Sequence, residues 1–158
     1  MYLAEVNIAR LKAPLDHPDT AEFANNLERV NGLAERMDGF IWRHIDESGN
    51  ATDTRIDEDP NVIVNLSVWR DVTALESFVW GTLHRQFYQK RDAWFKSLGS
   101  MGFAMWWVAP DHRPSVAEAA ERLAHLNQHG DTDHAFGWAH LQDATRWQDL
   151  RCAPLAAE

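Results

Sequence analysis

Residues 62–95 read VIVNLSVWRDVTALESFVWGTLHRQFYQKRDAWF, and this stretch decides the fold. Val62 to Trp69 is apolar at nearly every position, the pattern of a strand buried on both faces. Asp71 stands where a helix N-cap belongs, and the helical pattern runs on to about Gly99. At about 100° per residue, Trp80, His84, Phe87, Arg91 and Trp94 fall on one narrow stripe. Arg85, Gln89, Asp92 and Lys96 lie opposite, as a solvated face. One imidazole and one guanidinium therefore sit within an aromatic, inward-looking face. Buried polar groups need partners, supplied either by the protein or by a ligand.

Upstream, Tyr2 to Leu11 alternates as a first strand. Leu3, Glu5, Asn7 and Ala9 point one way, and Tyr2, Ala4, Val6 and Ile8 the other. Asp19 and Glu22 have capping-box spacing at the start of a helix that runs to about Met37. Its inward stripe is Phe23, Leu27, Val30, Ala34 and Met37. Gly39 stops that helix, and Phe40 to Ile45 is the second strand, with Phe40, Trp42 and His44 on one face. Asp46 to Asn61 is a long polar connection with room for a short hairpin arm around Thr52 to Ile56. Such a connection is a natural lid beside a pocket. Its Asp57, Glu58 and Asp59 lack the ordered spacing of a calcium loop and read as solvated.

Downstream, Phe103 to Val108 is the fourth strand. Pro114 and a Ser115/Glu118 capping box open a third helix to about His129. Residues 1–129 then form one domain. Residues 130–158 form an extension, docked in part through Phe136 and Trp138 and ending as a loose tail.

The order strand, helix, strand, strand, helix, strand predicts an α+β fold. Its form is the ferredoxin-like split βαβ arrangement, an antiparallel sheet with two helices on one face and an added C-terminal helix. The doubly apolar third strand demands cover on the second face as well. A second copy of the sheet would supply it, so a homodimer is expected.

The whole composition narrows the function. The chain has 158 residues with 45% apolar content, enough for a single core. A formal net charge of −9 argues against nucleic acid or an anionic membrane as partner. No run of about 18 apolar residues offers a membrane span. The N-terminus lacks signal-peptide character, and Cys152 is the single cysteine, so a cytoplasmic location is the default expectation. Eight tryptophans are many for this length and serve either a bulky core or a cavity for a flat ligand.

The alternation sets Asn7, Trp42, His44, Asn65 and Trp69 on potentially equivalent sheet faces. If that side faces the helices, they converge on His84 and Arg91 in an apolar pocket with few polar groups. Within it His84 is the candidate acid or base. Arg91 is the candidate partner for a carboxylate or oxyanion. Asn7 and Asn65 would orient a substrate oxygen. His84 and Arg91 lie seven positions apart, roughly 10.5 Å along a helix, which leaves room for a small ligand between them. The alternative needs no ligand: Arg91 pairs with Glu5, and His84 bonds a backbone carbonyl. His125 and His129 are spaced i, i+4, but two such groups on an acidic helix surface are commonly incidental, so no metal site is assigned. Phosphate loops, nucleophile elbows and zinc-protease motifs are absent.

The segments LAEVNIARLKAPL (3–15), GNATD (49–53), VNLSVW (64–69), FVWGTLHRQFYQKRDAWF (78–95), WWV (106–108) and HRPSVAEA (112–119) resemble one bacterial family of unknown function. It belongs to the dimeric α+β barrel superfamily, which includes the antibiotic-biosynthesis monooxygenases and their haem-degrading relatives. The resemblance covers about residues 2–129. Asn65, four positions before the strand-ending Trp69, resembles a feature of the monooxygenases. Asn7, Trp69 and His84 resemble a set in the haem-degrading members.

The residues of this pocket, with the superfamily resemblance beside them, lead to the expectation of a small-molecule enzyme acting on an aromatic or polyketide-like substrate, either a cofactor-independent monooxygenase or an isomerase or cyclase. Its substrate-binding wall would be Asn7, Trp42, His44, Trp69, Trp80, Phe87 and Trp94, around catalytic His84, Arg91 and Asn65. The competing expectation is a protein that holds haem or another flat hydrophobic ligand without turnover.

Overall fold

The structure is a computed structural model, and it describes residues 1–81, 86 and 89–144. Its five strands are β1 (Tyr2–Leu11), β2 (Phe40–Arg43), β3 (Val62–Trp69), β4 (Phe95–Lys96) and β5 (Phe103–Val108). The described helices are α1 (Ala21–Glu35), α2 (Val72–Gly81), the short α3 (Arg91–Trp94) and α4 (Val116–His129). The strands form one sheet in the order β2-β3-β1-β4, with β5 also on β1, and every pairing is antiparallel. The protein is therefore α+β with a five-stranded antiparallel sheet.

The central strand β1 sorts its residues as the alternation predicts. Ala4 and Val6 join Leu66, Val68, Ala104 and Trp106 in one core. Leu3 joins Trp69 and Met105 in the other. Ala74, Leu75 and Phe78 of α2 and Ala34 of α1 cover the second of these. Ala119, Leu123 and Leu126 of α4 cover the first. Each of those leucines contributes about 1.5–3 kcal/mol by leaving water. The face whose exposure motivated a homodimer is thus covered within the chain, by the added C-terminal helix.

The strand ends and caps follow local chemistry. The Asp71 carboxylate accepts the Ala74 amide at 2.8 Å and starts α2. The Asp71→Ala variant is expected to lose about 1 kcal/mol, or roughly 2–4 °C in a thermal melt followed by circular dichroism. Ser115 caps α4 by accepting the Glu118 amide at 3.1 Å. The Glu118 carboxylate does not complete the reciprocal box. It accepts instead from the Trp106 indole at 2.9 Å and meets His112 at 2.7 Å. At Gly39, φ is +87°, and a Cβ there would lie 2.5 Å from that of Ala74. Only glycine lets α1 end against α2 at this distance.

Four expectations are corrected. The helix after Asp71 does not persist to Gly99. Lys90 is a turn, and Phe95 becomes extended so that Phe95 and Lys96 pair with Leu11 and Arg10. Completing the ladder along β1 outweighs the local helical pattern. Asp19 and Glu22 do not form a capping box. A short 3₁₀ turn at Pro18–Thr20 precedes α1, and its Asp19 amide donates to His17 Nδ1 at 3.1 Å.

Residues 46–61 form no hairpin among the described residues. They wrap the Asp46 carboxylate, which accepts from the Ser48 and Asp53 amides and from the Ser48 and Thr54 hydroxyls. Partial burial opposes ionisation of Asp46, but those bonds win and hold its carboxyl down at about 2. Ile56 of this connection packs on the α4 side of the sheet. The fourth correction concerns β2: its register shifts between Phe40 and Trp42. A one-residue slip exchanges the faces of every side chain beyond it.

Residues 130–144 pass from the end of α4 around β5. Ala135 sits in the α4-side core and Phe136 in the other. The backbone of Phe136 pairs with Met105 in both directions, at 2.8 and 2.9 Å. Trp138 stacks on Phe103 with ring centroids 5.6 Å apart. The expected docking of Phe136 and Trp138 is therefore observed, and the expected tail, residues 145–158, lies outside the described residues. No described helix is long and apolar enough to cross a membrane.

Candidate functional site

The α1 and α2 side of the sheet carries a polar chain inside an apolar layer. Register places Leu3 opposite Trp69, Glu5 opposite Ser67, and Asn7 opposite Asn65. Facing residues of an antiparallel pair share one side of the sheet, so all six project together. Glu5 is only 4% exposed, although it is a carboxylic acid.

Three side chains serve it, directly or in sequence. The Ser67 hydroxyl donates to Glu5 Oε1 at 2.6 Å. Asn7 Nδ2 donates to Glu5 Oε2 at 3.2 Å. The Trp69 indole donates to Ser67 Oγ at 2.9 Å, orienting that hydroxyl toward the acid. Trp69 is fixed in turn by Phe78, stacked at 5.2 Å, and by Phe40, edge-on at 5.4 Å.

Among the described residues no cation pairs with Glu5. Burial pushes its carboxyl up from 4.5 to about 7, and the bonds from Ser67 and Asn7 only partly oppose that rise. A carboxyl poised near neutrality exchanges protons readily in either direction, the property a general acid or base needs.

The ion pair of Arg91 with Glu5, the alternative that needs no ligand, does not form. Arg91 lies on α3 with its side chain 35% exposed, its Nε 3.9 Å from Asp92 Oδ1. Trp94 is buried beside Phe23 at 5.7 Å, at the β4 end of the sheet. Trp80 is buried near Trp138 at 6.2 Å. Asn7, Asn65 and Trp69 are brought together as expected.

Trp42 and His44 are not part of that group. The register shift in β2 pairs Trp42 with Val68, and the His44 amide donates to the Leu66 carbonyl at 2.8 Å. Both therefore lie on the α4 side, where His44 Nε2 meets Thr54 Oγ1 at 2.7 Å. The connection expected to be a lid divides: Ile56 packs on the α4 side, and Asn50 Oδ1 accepts from Asn31 Nδ2 of α1 at 2.7 Å. His84 and Phe87 lie outside the described residues.

Sequence reasoning missed Glu5 and Ser67 as a pair. A signal was present: an acid between Ala4 and Val6 on a central strand, its alternating neighbours Leu3 and Asn7 turned inward. What it lacked was the partner, 62 positions away in the chain.

These features define an α+β protein with an antiparallel sheet and a carboxyl enclosed on the face covered by α1 and α2. The chain belongs to the family described as Domain of unknown function (DUF3291), whose model matches residues 2–152. It is similar to the chain in "Crystal structure of PA3566 from Pseudomonas aeruginosa". The two share 17% identity over 68% of this chain and 95% of that one, with a TM-score of 0.45. No curated protein matches the chain.

Proposed function

We propose that this protein is a small-molecule enzyme that moves a proton on an aromatic or polyketide-like substrate, with Glu5 as the group that carries it. The observation behind this reading is a buried carboxylic acid bonded, among the described residues, by the neutral donors Ser67 and Asn7. An acid kept for packing alone would be matched by a cation, or replaced by an apolar residue at no cost. Trp69 and Phe78, stacked on each other at 5.2 Å, supply the apolar layer that keeps this acid out of water. Asn65, opposite Asn7, is suited to orient a substrate oxygen. Arg91, partly exposed on α3, is the proposed partner for the anion left after deprotonation. The acid–base role assigned by sequence to His84 passes in this reading to Glu5.

The ferredoxin-like arrangement and kinship with the antibiotic-biosynthesis monooxygenases belong to the same proposal. They rest on the strand order, the antiparallel pairings and the Asn65 to Trp69 spacing.

The test is solvent-deuterium incorporation into a panel of phenols and enolisable aromatic ketones, read by mass spectrometry, with oxygen uptake followed in parallel. Wild-type protein should accelerate exchange, and Glu5→Gln should lower the rate by about 10²- to 10⁴-fold. Equal rates in the two proteins would overturn the assignment.

A further inference from the structure

On the α4 side of the sheet, away from Glu5, the turn after α4 folds back and assembles donors that no local motif contains. Glu121 and His125 stand one helical turn apart on α4, and His134 reaches them from the following segment. One ligand atom from each of the three lies within 4.8 Å of the others. We propose that Glu121, His125 and His134 bind a divalent first-row cation of the zinc class, which fastens residues 130–137 to α4.

The donor set suits that ion. Two imidazoles and a carboxylate are what borderline cations accept, and three protein ligands leave a fourth position for water. Ligand atoms around tetrahedral zinc lie ~3.4 Å apart, so closing the present spacing needs only side-chain rotation. Part of the set is already that close, since His134 Nε2 stands 2.9 and 3.0 Å from the two Glu121 oxygens. A cation bound there would replace this contact between His134 and Glu121.

The donors are held before any ion arrives. Gly130, at φ +74°, ends the helix with its amide on the Leu126 carbonyl at 2.9 Å. The Thr132 amide donates to the Ala135 carbonyl at 3.0 Å, and the His134 amide to Thr132 Oγ1 at 3.2 Å. The ladder between Phe136 and Met105 anchors the far end. Thr132 Oγ1 also lies 2.8 Å from His125 Nε2 and holds that ring against the returning segment.

Burial, then the neighbouring His129 and His134, push the His125 imidazole below its ordinary value. Arg122 opposes binding. Its Nη1 lies 2.7 Å from His134 Nδ1 and 2.7 Å from the His134 carbonyl. When Nε2 of His134 goes to the metal, Nδ1 must carry the ring proton. Arg122 then keeps the His134 carbonyl and its contact with Glu118 at 3.4 Å.

Titration of Zn²⁺ alone into the full chain, by calorimetry near neutral pH, tests the site. One saturable equivalent is expected, and Zn²⁺ should raise the melting temperature of the wild type. Single His125→Ala or His134→Ala variants should weaken binding by more than about tenfold, and the double variant should abolish it and the thermal shift. Circular dichroism of the zinc-free variants should match the wild type, since His125 is half-buried and His134 exposed. Arg122→Gln should tighten binding, and His129→Ala should retain the single equivalent. Absence of saturable binding, or unchanged affinity in the double variant, would overturn the proposal. So would loss of the site through His129→Ala alone.

Discussion

Glu5→Gln is expected to make the folded protein more stable at alkaline pH, by roughly 3 kcal/mol at about pH 8. The unfolded chain ionises this carboxyl near 4.5, and the folded chain near about 7. Between those two values the native state holds more protons than the unfolded one, so stability falls as pH rises. The stabilising protonated state is fully present below about 4.5, and the whole cost of a buried charge is felt once pH has passed about 7. Glutamine keeps the size and the hydrogen-bonding capacity and cannot ionise. The difference between wild type and variant should therefore be small at about pH 4 and grow steadily to about pH 8. Urea melts of both proteins across that range measure it. Parallel profiles would mean that Glu5 does not titrate in this window. Stability gained together with catalysis lost would separate a functional acid from a structural one.

Trp69→Ala should be the most damaging single replacement at the site. The side chain is fully buried and packs on both Phe78 and Phe40. Removing it deletes a large apolar volume and leaves a cavity, at about 3–5 kcal/mol. For a chain of this size that corresponds to a melting temperature lower by about 10 °C. Trp69→Phe retains most of the volume and loses the indole donor to Ser67, so its loss should stay below about 2 kcal/mol. Differential scanning calorimetry of the pair separates packing from hydrogen bonding. Equal losses in both variants would assign the effect to the lost hydrogen bond, not to the cavity.

Much of this architecture is legible in the residues themselves. The strands Tyr2 to Leu11, Val62 to Trp69 and Phe103 to Val108 fall at the expected positions. Asp71 and Ser115 cap their helices as expected. Two-residue alternation grouped Asn65 with Trp69 within β3 and Asn7 with Glu5 within β1, and the pairing register set both groups on one side. The errors share an origin. Trp42 and His44 were assigned a face by unbroken alternation, and a register shift against β3 moved them to the other. Phe95 was assigned to a helix by its periodicity, and pairing with Leu11 drew it into the sheet. In each case a hydrogen-bond ladder to a strand distant in the chain overrode a local preference.

The sequence by itself determined most of the segments that become strands and helices, where most of them begin, and which side of each regular strand is apolar. Those properties depend on neighbours a few positions away, through side-chain alternation, capping and backbone freedom at glycine. Only the tertiary structure decided what α4 covers, which acid is enclosed and which histidines meet. Glu5 reaches its pushed-up carboxyl only because Ser67 and the helix-covered layer close around it. Glu121 and His134 face each other only because the turn at Gly130 sends the chain back along α4. Desolvation and convergence of side chains depend on the whole packed arrangement, and no local pattern of residues encodes them.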